Sequence, residues 1–307
     1  RTMLDYAALN ALAAVVREGS FERAARALHV TPSAVSQRVK LLEERTGGAL
    51  LVRGQPCIAT EAGQQLCRHI ERVGMLEHEL REALPALGMG GRSGEGAERV
   101  TVRVAVNADS LASWFMAAAA AFARQEESAL LDLTVDDQDH TAERLRSGAV
   151  LAAVTALAQP VAGCNSEALG AMHYVAAASP QFVERYFAKG VGARTLAHAP
   201  SLVFDRKDRL QARWVRRICH RSIETPRHWL PSAQGFVEAA RAGMGWGMLP
   251  ASMAADAMRA GALVELVPGS ALQVPLYWQQ ARAAPQLLER LKAAVRAAAA
   301  SGAHALR

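Results

Sequence analysis

The chain has few of the features that staple or anchor a protein. It holds 307 residues and only four cysteines, Cys57, Cys67, Cys164 and Cys219, with no C-x-x-C pair and few histidines nearby. That spacing argues against a zinc site or a disulfide framework and suits a reducing compartment. No run of about eighteen apolar residues occurs; the alanine tract Ala117 to Ala121 is bounded by Asp109 and Arg124. Residues 1–17 read as an amphipathic helix rather than a secretory signal, so a cytoplasmic protein with no membrane partner is expected. A G-x-S-x-G elbow, an H-E-x-x-H helix and a recognisable Cys/His pair are all missing, so the chain does not read as an enzyme. Gly243-x-Gly245-x-Gly247 precedes a strand instead of linking strand to helix, which argues against a nucleotide cofactor.

What is present is enough apolar material to fold, 51% hydrophobic against 21% charged residues, in a chain long enough for two or three domains. Thirty-five Lys and Arg oppose 29 Asp and Glu, a net charge of +6 that suits a polyanionic partner without demonstrating one. The segment from Gly88 to Gly96 has five glycines and no apolar periodicity, and marks the main boundary. Before it the chain reads as helical apart from Leu50 to Ala59. After it, β-branched runs such as Val100–Val106 and Leu130–Val135 alternate with helical stretches, which predicts an α/β domain on a largely parallel sheet.

In the first part, Leu9, Leu12, Val15 and Val16 face one side of a helix that Glu18-Gly19 stops. Ser20 caps a second, short helix whose Phe21, Ala24, Ala25 and Leu28 share a face, and Thr31-Pro32 opens a third. There Val35, Val39 and Leu42 form the docked side, while Ser33, Ser36, Gln37 and Lys40 form an opposite stripe of hydroxyl, amide and ammonium groups. Such a stripe can read base edges and phosphates in a major groove, and the pair of helices reads as a helix-turn-helix. Leu50–Arg53 and Cys57–Ala59 around Gly54-Gln55-Pro56 read as a hairpin wing with Arg53 at its edge, a phosphate or minor-groove candidate. From Thr60 a long helix runs to about Leu87, with Leu66, Ile70, Val73, Leu80 and Leu84 along a heptad seam and Glu77 at its missing position. The seam could pair with a second copy, or pack on the chain's own second domain.

The segments Phe21–Leu28, Ser33–Val39, Leu42-Glu43 and Thr60-Glu61-Ala62-Gly63 closely resemble the DNA-binding domain of LysR-type transcriptional regulators. The resemblance extends over the whole chain. Val106–Ala112, Pro160–Cys164, Gly243–Pro250 and Leu276–Gln279 resemble the LysG/ArgP branch, regulators of lysine and arginine export. Two departures stand out: Pro32, where many such proteins have glutamine, removes one amide contact, and Leu51 stands where phenylalanine is common. The resemblance implies an α/β sensor of two Rossmann-like, periplasmic-binding-protein-like subdomains, preceded by a winged helix-turn-helix and a long linker helix. The expected division is a DNA-binding domain at 1–59, a linker and dimerisation helix at 60–87 and a flexible hinge at 88–98. Sensor subdomain 1 then takes 99–161 plus 268–307, and subdomain 2 takes 162–267, with the chain crossing near Pro160 and Pro268. Expected DNA contacts are Thr31, Ser33, Ser36, Gln37, Arg38, Lys40 and Arg53. Expected partners are promoter DNA, RNA polymerase and further copies of the chain, as a dimer or a dimer of dimers.

The sensor half carries its own chemistry. Asn107, Asp109 and Ser110 lie between a strand and a helix N-terminus, an arrangement that suits a carboxylate, although Asp109 or Ser110 could simply cap that helix. Asp136 and Asp137 follow the next strand and Asp205 follows another, where they could meet an ammonium or guanidinium. Asp139 could instead cap the helix 139–147, and Asp205 could belong to the exposed turn Asp205–Asp208. Ser232 opens a further helix and would face the cleft from the other subdomain. A basic amino acid satisfies both ends, so the expected effector is L-lysine or L-arginine with no further cofactor. The competing readings are a regulator of another small carboxylate, a cytoplasmic amino-acid-binding protein and a DNA-architectural protein.

Overall fold

The computed structural model describes residues 4–84, 99–136, 144–145, 149–301 and 306. Helices α1 (Tyr6–Glu18), α2 (Phe21–Ala27) and α3 (Pro32–Thr46) form a small bundle, and each begins with a side chain that accepts from its first turn. Asp5 accepts from the Ala8 N–H at 3.1 Å, Ser20 from Arg23 at 3.2 Å and Thr31 from Ala34 at 3.2 Å, with Pro32 at the first helical position. Leu9, Leu12, Val15, Val35, Val39 and Leu42 meet in a core that the wing closes.

The wing is the pair β1 (Leu51–Val52) and β2 (Ile58–Ala59), antiparallel. Glu43 fixes it to α3, accepting from the Leu50 N–H at 2.8 Å and the Leu51 N–H at 3.3 Å. Helix α4 (Glu61–Ala83) follows at once, capped by Thr60. Gly63 in its first turn touches the wing so closely that a Cβ would lie 2.1 Å from the Leu50 carbonyl oxygen. Any side chain there would drive wing and helix apart.

Helix α4 runs from one core into the other. Cys67 and Ile70 are buried with the bundle, while Met75, 1% exposed, belongs to the main sensor core. Arg72 donates to the Ala283 carbonyl at 3.0 Å, Glu79 accepts from the Leu287 N–H at 3.1 Å, and His78 shares a 3.1 Å hydrogen bond with Ser128. The expected hinge at 88–98 lies outside the described residues.

The sensor's main sheet is seven-stranded and mixed, not largely parallel. Strand β3 (Val100–Asn107) lies between β4 (Ala129–Asp136) and β5 (Ala152–Thr155), parallel to both. The helix after β3 is continuous but underwound at a wide turn: Ala108–Ser110, a π-type segment Leu111–Phe115 and Met116–Gln125, together α5. The remaining pairings are antiparallel and rest on two long strands, β6 (Cys164–Ala178) and β11 (Leu272–Ala281). The far end of β6 pairs with β9 (Gly247–Pro250) and β10 (Val264–Glu265). A small parallel pair, β7 (Ser201–Val203) and β8 (Arg227–Trp229), completes the second lobe.

The two lobes therefore share the long strands β6 and β11. The register slips between Leu276 and Tyr277, opposite Gly170, whose φ of +128° favours glycine. Helices α6 (Pro180–Phe187), α7 (Ala193–Leu196), α8 (Leu210–Cys219), α9 (Ala233–Arg241) and α10 (Ala251–Arg259) clothe the second lobe. The last helix, α11 (Gln286–Ala300), returns to pack on α5 and α4. No helix among the described residues is long and apolar enough to cross a membrane.

Candidate DNA interface and effector cleft

Helix α3 has the two faces its sequence predicts. Val35, Val39 and Leu42 are buried, and Ser33, Gln37 and Lys40 are exposed, with Ser36 and Arg38 half-buried beside them. Thr31 is exposed, but its hydroxyl is engaged with the Ala34 N–H and lies 3.0 Å from the Ser33 hydroxyl. Lys40 is held only loosely, 3.8 Å from Glu44 on the same exposed face. Arg53 projects from the wing with its guanidinium 5.7 Å from the Phe21 ring centroid, a cation–π contact that steadies it at the edge of the polar stripe. Arg23 and Arg26, exposed on α2, add cations that the amphipathic reading of that helix passed over.

The long-helix seam divides in two. Leu66 and Ile70 pack into the bundle core, so the chain itself covers them. Leu80 is 47% exposed, and Leu84 and Leu76 are exposed with it, while Val73 is half-buried. Leu76 was absent from the predicted seam because the heptad count placed Glu77 there.

In the sensor, three parallel strands end side by side. Asn107 of β3 stands in register with Asp136 of β4, and β5 ends at Thr155 on the other side of β3. Asn107 is 3% exposed and its Oδ1 has no hydrogen-bond partner among the described residues. Neither Asp109 nor Ser110 caps the helix. The Tyr174 hydroxyl donates to Asp109 Oδ2 at 2.6 Å, and Ser110 Oγ accepts from the Trp114 indole at 3.1 Å. Tyr174 lies on β6, so Asp109 ties the first lobe to the strand that continues into the second. Gln279 of β11, fully buried, holds the loop after β5. Its amide donates to the Leu157 and Gln159 carbonyls at 2.8 and 3.0 Å and accepts from the Val161 N–H at 2.9 Å.

Other expected effector residues are engaged locally. Asp205 accepts from the N–H groups of Lys207 and Asp208 at 2.7 and 3.0 Å, which is the turn role that its sequence left open. Burial pushes the neighbouring Asp208 carboxyl up, against hydrogen bonds from Leu210 and Phe204. Ser232 is exposed and caps α9 through the Gly235 N–H at 3.0 Å. Asp137 and Asp139 lie outside the described residues. Tyr174 and Thr155 escaped the sequence reading, for neither belongs to a strand-to-helix motif.

A DNA-reading head on a long helix, followed by two α/β lobes that share two strands, defines a ligand-responsive regulator. Two family models match the chain: the bacterial regulatory helix-turn-helix protein of the lysR family at residues 6–64, and the LysR substrate binding domain at 95–300. The chain belongs to the LysR-type transcriptional regulators. It is 46% identical over 296 residues to the HTH-type transcriptional regulator LysG of Mycobacterium tuberculosis, covering 96% of this chain and 94% of that one. It is 40% identical to the lysine export transcriptional regulatory protein LysG of Corynebacterium efficiens, over 96% of this chain and 97% of that one. Among solved structures, ArgP from Mycobacterium tuberculosis aligns with a TM-score of 0.81 at 43% identity, over 99% of this chain and 100% of that one. Full-length LysG from Corynebacterium glutamicum with bound effector Arg aligns with a TM-score of 0.73 at 38% identity, over 96% and 98%.

Proposed function

We propose that this regulator senses a basic amino acid, L-lysine or L-arginine, in the cleft beside Asn107 and Asp109, and controls a gene for an amino-acid exporter. The observation that carries the reading is the buried, unpartnered Asn107 Oδ1 at the shared carboxyl edge of β3, β4 and β5. A buried amide oxygen without a donor costs about 1–3 kcal/mol, and an α-ammonium group or a guanidinium would satisfy it. Asp109 and Asp136 supply negative charge at the same edge, and the N–H groups of the first turn of α5 suit the effector's carboxylate. The named effector of the Corynebacterium glutamicum relative supports the same ligand class. Asp205 and Ser232 hold smaller roles in this reading, shaping the second lobe's rim, and Asp137 remains a candidate for the cationic end.

DNA is read by Ser33, Ser36, Gln37, Arg38 and Lys40, with Thr31 positioning the helix start and Arg53 meeting a phosphate or the minor groove. We take 1–59 as the head and 60–87 as the dimerisation helix, and place the flexible hinge at 88–98. The two subdomains are assigned to 99–161 with 268–307 and to 162–267. The protein works in the cytoplasm without a resident cofactor or catalytic activity, as a dimer or dimer of dimers joined through Val73, Leu80 and Leu84, and acts on RNA polymerase at its promoter. Calorimetry on the full chain with lysine, arginine, leucine and glutamate tests the effector. Heat with lysine or arginine alone is the expected result; equal heats with all four, or heat only with leucine or glutamate, would transfer the assignment to a regulator of another small carboxylate.

A further inference from the structure

Between the two cores, α4 and β3 are joined by an ion pair that neither DNA reading nor effector binding uses. Glu71 Oε1 lies 2.7 Å from the Arg103 guanidinium, with only 11% and 18% of the two side chains exposed. Glu71 Oε2 is buried without a hydrogen-bond partner among the described residues. Arg103 sits on the same strand as Asn107, two pleat repeats before it, and Glu71 sits on the helix that carries the DNA-binding head. We propose that Glu71 and Arg103 form a clasp that transmits the state of the effector-facing strand β3 to the linker helix. The effector half of this proposal rests on the basic-amino-acid reading above; the clasp itself does not.

The charges around Glu71 come from every side. Arg103 faces it from β3, Arg17 from α1 and Asp132 from β4, and Cys67 stands one turn earlier on α4. Burial outweighs the attraction of Arg103 and Arg17, and Asp132 adds repulsion, so the Glu71 carboxyl is pushed up to about 7. Burial, followed by the Glu71 charge, pushes the Cys67 thiol up to about 12. A buried ion pair of this kind gives little net stability, because desolvation offsets Coulomb attraction, but it makes the contact sensitive to the charge of either partner. The direction follows from linkage. A carboxyl raised on docking contributes stability that is present below its ordinary value near 4.5 and is lost as the pH rises through about 7. Docking of α4 on the sensor therefore strengthens by about tenfold between pH 8 and pH 6.

Hydrogen exchange read by mass spectrometry on the full-length protein tests the clasp, with protection corrected for the intrinsic rate at each pH. In the wild type, protection of the segment 69–80 should rise by about tenfold from pH 8 to pH 6, while the bundle segment 9–15 stays level. Glu71→Gln should abolish that rise, Arg103→Gln should lower protection at pH 8, and Arg103→Lys should keep most of it. Adding L-arginine should change protection of 69–80 in the wild type and not in the Glu71→Gln/Arg103→Gln double variant. An undiminished pH response in Glu71→Gln, wild-type protection in Arg103→Gln, or a rise shared by 9–15 would each overturn the clasp. If calorimetry finds no heat with L-arginine, the effector reading fails alone, and the pH series still decides the clasp.

Discussion

The head and the sensor reach their sites by opposite routes. Every α3 side chain proposed to face DNA comes from one continuous stretch, and its position follows from helical spacing and three neighbouring caps. The cleft is assembled from a distance: Asp109 meets Tyr174 across 65 positions of sequence, and Gln279 holds a loop about 120 positions away. A local site tolerates change elsewhere in the chain, whereas an assembled one depends on how two lobes are held. In this molecule the part that reads DNA is built to be constant, and the part that reads the cell is built to be adjustable.

Four substitutions can break or sharpen that contrast. The largest effect is expected from Leu80→Arg. Its exposure in the single chain means the fold should survive, so any loss must come from a partner that covers it. Burying an unpaired charge at a paired seam costs about 3–5 kcal/mol, and light scattering should then report a smaller assembly; an unchanged mass would place the dimer elsewhere. Tyr174→Phe removes a donor to a carboxylate, worth about 1.5–3 kcal/mol. It should weaken effector affinity while leaving DNA affinity in the absence of effector unchanged, as measured by calorimetry and fluorescence anisotropy side by side. Equal losses in both would erase the distinction between the two regions.

Gln37→Ala should cost about 1–3 kcal/mol at the preferred operator and relax base choice at one position. The effector response should persist, which a selection for bound sequences followed by titration can check. Smallest is Arg53→Gln, which should weaken binding to all sequences alike and lower the slope of log K against log salt by about one unit. A sequence-dependent loss would move Arg53 from phosphate contact to base reading.

The same contrast explains what could be read from the sequence. Caps, amphipathic faces and the Gly19 stop are short-range signals, so the three helices and the wing were legible residue by residue. The role of Glu43 and Gly63 was not legible, because it lies in contacts to the wing. In the sensor, β3, β4, β7 and β9 were legible as short apolar runs. The long antiparallel pair β6 and β11 was not, since its partners lie about a hundred residues apart and its strands alternate small and large residues without a β-branched run. Hence the expectation of a largely parallel sheet. Tyr174 was hidden for the same reason. Asp205 and Ser232 were found as polar residues near strand ends, but periodicity says nothing about whether such a residue turns outward or satisfies its own backbone, and here both do the latter.

The length of α4 gives the head mechanical leverage. Its 23 residues span about 34 Å at 1.5 Å per residue, and Gly63 fixes the wing rigidly to one end while Met75 and Glu79 seat the other. About 21 Å of helix lies between Met75 and its start, so a tilt of about ten degrees at the seated end swings the far end through about 4 Å, close to one base-pair step of about 3.4 Å. Two such levers in one assembly would turn a sub-ångström adjustment in the sensor into a change of the operator spacing that the pair can grip.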